Sequence, residues 1–155
     1  MLELRMHKRP LAYVSIEGKG IANISGILSR FSQALAKKSI NIHSVNNGDN
    51  DVGFFVSEDD AESARSAVAQ ETLKLNCISD ISIVRGIGMI TLRGEKIYNS
   101  PQVLERLSKV LEDAGISTFT FVSGVGSIKC FLDVKKRDAA FEVLEKNVLL
   151  FSDAA

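Results

Sequence analysis

Tyr13-Val14-Ser15-Ile16-Glu17-Gly18 is answered later in the chain by Met89-Ile90-Thr91-Leu92-Arg93-Gly94, with residue 89 set against residue 13, an offset of 76. The same offset continues without a gap. Leu28 falls on Leu104, Phe31 on Leu107, Leu35 on Leu111 and Ile40 on Ile116; Gly48 falls on Gly124, Phe55 on Phe131 and Val68 on Leu144. Apolar character repeats better than identity, as expected of two copies of one fold whose surfaces have diverged.

Each copy reads in the same order. Residues 11–17 alternate as a strand rich in β-branched and aromatic side chains. After an irregular stretch at 18–23, Ile24, Ile27, Leu28, Phe31 and Leu35 recur at helical spacing, with Ser25 as the expected cap and Lys37 and Lys38 suited to the C-terminal end. Residues 40–45 and 52–57 predict a hairpin around a turn at 46–51. Asp59 or Asp60 is expected to cap a second helix with Ala61, Ala64 and Val68 inward, and residues 77–84 predict a fourth strand. In the second copy, Ser100-Pro101 predicts a cap followed by a first-turn proline, and Gly115 a helix end. Residues 116–122 and 128–134 predict a hairpin, and residues 136–147 a helix.

The order is β-α-β-β-α-β twice. It predicts an α+β chain of two ferredoxin-like units, each an antiparallel four-stranded sheet with helices on one face, spanning residues 9–84 and 85–155. The second copy lacks room for its fourth strand, which the offset would place at about 153–160, past Ala155. Leu2, Leu4 and Met6 alternate as a strand does, so residues 2–6 are expected to supply it.

Composition narrows the function. With 19 basic and 19 acidic residues, no overall field favours nucleic acid or anionic lipid, and neither partner is expected. No apolar run approaches the roughly 20 residues of a membrane span, and residues 1–9 lack the apolar stretch of a signal peptide, so a cytoplasmic protein is expected. Cys77 and Cys130 lie far apart in strand-like runs and read as buried reduced thiols. Two histidines, His7 and His43, without a Cys-x-x-Cys pair, predict no metal site and no cofactor. Gly18-Lys19-Gly20 lacks the pattern of a phosphate loop and reads as bend geometry. Glu58-Asp59-Asp60 reads as a helix start, and Lys135-Lys136-Arg137 as a solvated turn. No catalytic constellation emerges. The same element order serves RNA-binding proteins, but Phe54, Phe55, Phe119 and Phe121 lack basic neighbours in the right pattern, and they read as core.

Taken in order, the strand ending at Gly18, Gly26-Ile27-Leu28-Ser29-Arg30-Phe31, Ser39-Ile40-Asn41-Ile42-His43 and Val52-Gly53-Phe54-Phe55-Val56 with Glu58-Asp59-Asp60-Ala61 resemble an ACT pair. In the second copy the resemblance rests on residues 83–89, on Ile128-Lys129-Cys130-Phe131-Leu132, and on Arg137-Asp138-Ala139-Ala140. The whole set resembles the C-terminal regulatory region of aspartokinases, without the kinase domain that precedes it there. The resemblance implies an inserted arrangement, in which a strand before the first unit completes the second. It also implies an allosteric module that binds a small amino acid, a product of the aspartate pathway, together with a homodimer and an aspartokinase catalytic domain or chain as partner. An ACT pair serving only subunit association is the alternative.

The family's effector site falls on the bend and first helix start, here Ile21, Ile24, Ser25, Gly26, Ile27 and Leu28. Unpaired N–H groups at a helix start suit a carboxylate. The next strand's Asn41 and Ile42 would meet the amino group, and the effector side chain would reach toward His43. Asn47 and Asp49 stand in the polar turn that follows. Lysine-sensing relatives carry a carboxylate where this chain has His43.

Overall fold

The computed structural model describes residues 2–95, 97 and 101–152, with the backbone alone at Ser152. The chain divides into two compact units, Leu11–Arg85 and a second made of Met1–Pro10 with Gly86–Ala155.

The first unit contains β2 (Leu11–Gly18), α1 (Ile27–Lys37), β3 (Ser44–Asn47), β4 (Asp51–Ser57), α2 (Ala61–Thr72) and the first part of β5 (Ile78–Arg93). Its strands lie in the order β3-β4-β2-β5, with β2 and β3 both antiparallel to β4. Val14 and Ile16 of β2 and Val52, Phe54 and Val56 of β4 face Ile27, Phe31 and Leu35 of α1 and Ala64 and Val68 of α2 in one core. The period of two in the strands and of 3.6 in the helices produces that shared face. Phe31 and Phe54 meet edge to face, their centroids 6.2 Å apart.

The second unit is built from the rest of β5, α3 (Pro101–Asp113), β6 (Thr118–Gly124), β7 (Ser127–Asp133), α4 (Arg137–Lys146), α5 (Val148–Ser152) and β1 (Glu3–Met6). β5 pairs antiparallel with β7 on one side and with β1 on the other, Glu3 opposite Arg93 and Met6 opposite Ile90. Ile90, Leu92, Leu107, Leu111, Cys130, Leu144 and Phe151 are buried in its core, and Leu2 and Leu4 pack against them.

The fold is thus α+β with antiparallel strands and helices packed on them, and several expectations are corrected. The expected strands 77–84 and 89–94 are one strand, β5, so the strands number one fewer than two separate four-stranded sheets require. No proline interrupts residues 78–93, and Gly86 absorbs a left-handed residue (φ 70°) inside the run. Residues 40–43 are not strand: the Ile40 N–H turns back to the Leu35 carbonyl at the end of α1, which delays β3 to Ser44. Asp60 precedes α2 without a side-chain cap, because residues 58–60 form a 3-10 turn first. Phe119 is 48% exposed rather than core, and Cys77 is only half-buried, whereas Cys130 is buried. Burial pushes the Cys130 thiol up to about 12, so it stays protonated and unreactive. Arg137 is not solvated: its side chain is 14% exposed and its guanidinium donates to the His7 and Lys8 carbonyls. The expected cap Ser100 lies outside the described residues.

Candidate functional site at the first bend

Between β2 and α1 the chain makes a 3-10 turn at Ile21–Asn23, entered through Gly20. Asn50 of the β3–β4 turn shapes this bend. Its side-chain oxygen accepts from the Gly20 N–H at 2.9 Å and its carbonyl from the Gly18 N–H at 2.8 Å. A side chain at Gly18 would collide with the Cys77 carbonyl, so this glycine serves close backbone approach rather than phosphate binding. Composition alone did not single out Asn50. The signal available was its place in the turn that the offset sets opposite Gly126.

Ser25 does not cap α1. The cap residue is Gly26, at φ 74° in the left-handed region, and it brings no side chain to cap the helix. Serine at 25 stands one residue too early, while Gly26 takes the positive φ that reverses the chain into the helix. The Ile27 N–H donates to the Ile24 carbonyl, and the Arg30 N–H makes the first intrahelical bond, to Gly26. Helix geometry leaves the N–H groups of Leu28 and Ser29 without an acceptor in their own helix. A methyl group at Gly26 would meet nothing within 4 Å, so the helix start opens outward. Ile21 and Ile27 are buried, Ile24 is half-buried against the core, Ser25 is exposed, and Leu28 is 37% exposed. The bend thus sets backbone donors beside isoleucines that pack into the core.

The remaining candidates fall in two places. Asn47 ends β3 opposite Val52, and Asp49 lies in the following turn; both are exposed, at the same end of the unit as the bend that Asn50 ties down. Asn41, Ile42 and His43 follow the C-terminal end of α1 instead, with the His43 N–H donating to Phe55 at 2.8 Å. α1 has 11 residues, about 16 Å at 1.5 Å per residue. Within one unit, then, residues 41–43 and residues 25–28 stand at opposite ends of a helix. Asn46, absent from the candidates, reaches the Tyr13 hydroxyl at 3.3 Å. Tyr13 is buried, which raises its pKa, while the Asn46 bond opposes that shift. Among the described residues no group of acidic, histidine or cysteine side chains could hold a metal ion, and no helix is long and apolar enough to cross a membrane.

Residues 14–72, which hold this bend, both helices and both hairpin strands, match the family model for the ACT domain. Over nearly the whole chain the fold resembles aspartokinase regulatory structures. A crystal structure of aspartokinase alpha and beta subunits matches with a TM-score of 0.78 at 17% identity, covering 92% of this chain and 95% of that one. The ligand-free regulatory subunit of aspartate kinase from Thermus thermophilus matches at 0.74 and 17% identity, covering 94% and 95%. The aspartate kinase of Clostridium acetobutylicum matches at 0.79 and 9% identity over 94% of this chain, which spans only 33% of that enzyme.

Proposed function

We propose that this chain is a regulatory module that binds a small amino acid and controls an enzyme of the aspartate pathway allosterically. The observation that carries the reading is the start of α1. Two backbone N–H groups there lack helical acceptors, close in sequence to Ile21, Ile24 and Ile27 of the core, and there is open space at Gly26. A carboxylate fits those donors by charge and geometry. The whole-chain likeness to aspartokinase alpha and beta subunits and to a regulatory subunit of aspartate kinase supports the choice of pathway. On this reading the two ACT units are residues 9–84 and residues 85–155 with 2–6, the setting is cytoplasmic, and the partner is an aspartokinase catalytic domain or chain.

Because one unit holds residues 25–28 and 41–43 about 16 Å apart along α1, one ligand cannot touch both within a copy. In the proposed homodimer, Asn41, Ile42 and His43 of a second copy face the bend of the first. The same separation favours the alternative that the pair serves association alone. Calorimetry with each of the twenty amino acids at millimolar concentration separates them. Binding by one or a few supports the sensor, and binding by none leaves the association reading. Gly26→Val should abolish binding, because a branched residue resists the left-handed conformation that shapes the helix start. His43→Asp should shift preference toward lysine. The Coulomb term between carboxylate and ammonium is about 1 to 4 kcal/mol at 4 Å, depending on exposure. Light scattering showing a monomer would remove the shared site.

A further inference from the structure

β1 is a short edge strand, four residues long, exposed or half-buried throughout. Short edges with few buried contacts open first. Yet this strand is fastened at both ends. At its start, Leu2 lies over Gly94, where any side chain would collide with it. At its end, the His7 N–H extends the ladder to the Met89 carbonyl, and Arg137 takes hold of the segment that follows. One guanidinium nitrogen of Arg137 donates to the His7 carbonyl at 3.0 Å and to the Lys8 carbonyl at 2.7 Å. The Arg137 stem crosses Gly88, whose missing side chain leaves it room: a carbon there would sit 3.0 Å from Arg137 Cβ. Its one ion partner among the described residues, Asp138, is 73% exposed, so the His7 carbonyl, on a half-buried residue, is the more sheltered partner. Planar geometry and permanent charge suit arginine to two acceptors at once.

We propose that β1 is a detachable strap of the second unit and that Arg137 is the latch that keeps it in the sheet. Release frees the edge of β5 from Ile90 to Arg93 and uncovers the part of the core under Leu2 and Leu4, while α3, α4, β6 and β7 stay folded. The latch acts on the backbone of residues 7 and 8, not on a side chain, so it holds the strap regardless of what that segment carries.

Hydrogen exchange read by mass spectrometry on the intact protein tests this. In the wild type, amides of β1 should exchange at least tenfold faster than those of β7, since detachment precedes unfolding of the unit. Equal rates overturn the strap. In Arg137→Gln, β1 amides should accelerate a further tenfold while α3 and β7 keep their rates, with Arg137→Lys in between because its shorter stem brings the ammonium less fully onto the two carbonyls. Asp138→Asn should match the wild type. If β1 stays as protected as before, or if α3 and β7 accelerate by the same factor as β1, Arg137 is not a latch.

Discussion

The two units solve one packing problem with different residues. Ile21 and Ile97, Ile27 and Val103, Leu35 and Leu111, Ala64 and Ala140, and Val68 and Leu144 are buried in equivalent places, each pair 76 apart. Main-chain bonds follow the same spacing: Gly18 N–H to Asn50 O is matched by Gly94 N–H to Gly126 O, and Ile40 N–H to Leu35 O by Ile116 N–H to Leu111 O. The centres differ. Phe31 and Phe54 fill the first core, where the second has Leu107 and Cys130. The second regains volume elsewhere, with Phe151 where the first has Leu75, and with Leu2 and Leu4 brought from the N-terminus. Backbone geometry is therefore the shared quantity, and side-chain volume is redistributed around it.

The largest test removes what only the second unit borrows. Deleting residues 1–8 takes away two apolar side chains, each worth about 1.5–3 kcal/mol when fully buried, and a row of ladder bonds worth roughly 0.5–1.5 kcal/mol each. Leu2 and Leu4 are only partly buried, so the total falls short of the 5–15 kcal/mol of a typical domain. The second unit should stay folded but exchange faster in α3 and β7, while the first keeps its rates. Unchanged rates in both would mean that β1 contributes little.

Next comes the aromatic pair. Phe54→Ala should cost about 3–5 kcal/mol in the first unit, whereas Cys130→Ala at the equivalent site removes one sulfur and should cost much less. Urea unfolding followed unit by unit reads both. Equal costs would mean that the second core depends on Cys130 as the first does on Phe54.

These contrasts show what could be read from the residues and what could not. The repeat was legible because apolar positions are set by face, and faces are set by period. Ends of elements were not. Residues 40–43 alternate like a strand, but Ser39 adopts φ 56° and turns Ile40 back onto α1, a choice made by the helix end rather than by side-chain pattern. Ser25 suits a cap, yet Gly26 takes the position through φ. The continuity of β5 was hidden because Gly86 and Gly88 look like a break. Arg137 read as solvent-facing because its acceptors lie about 130 residues earlier, beyond any local pattern. For the candidate site, the residue types pointed to the bend, but the distance between its two halves follows from topology. A helix that returns antiparallel to its strands puts its beginning and its successor at opposite ends.

A smaller effect tests the shared backbone directly. Ser39 and Gly115 occupy the same helix-end position, at φ 56° and φ 70°. A serine in the left-handed region is strained, and a glycine there is not. Ser39→Gly should stabilise the first unit by roughly 0.5–1 kcal/mol, the strain relieved exceeding the extra freedom of the unfolded chain. Gly115→Ser should destabilise the second by a similar amount. Thermal denaturation of the two single variants is sufficient. If both substitutions act in the same direction, the two helix ends are not equivalent.

The smallest expected effect separates the units by pH. His7 belongs to the second unit, and its pKa lies below the usual 6.5, chiefly because burial penalises the cation, with Arg137 and Arg9 repelling it further. The folded protein therefore holds His7 neutral more readily than the unfolded chain does. Its contribution to stability is complete above pH 6.5 and is lost as the pH falls from there through the depressed folded value. Because the imidazole is only half-buried, the loss should be modest. His7→Gln keeps a polar side chain without the charge, so the gap in second-unit stability between variant and wild type should grow in the variant's favour below pH 6.5 and be constant above it. Hydrogen exchange of β1 and β7, with each pH corrected for intrinsic exchange, resolves this against the first unit as an internal reference. A gap that stays constant across the range would mean that protonated His7 finds compensation from a neighbouring acceptor, and that the segment Arg137 holds tolerates the added charge.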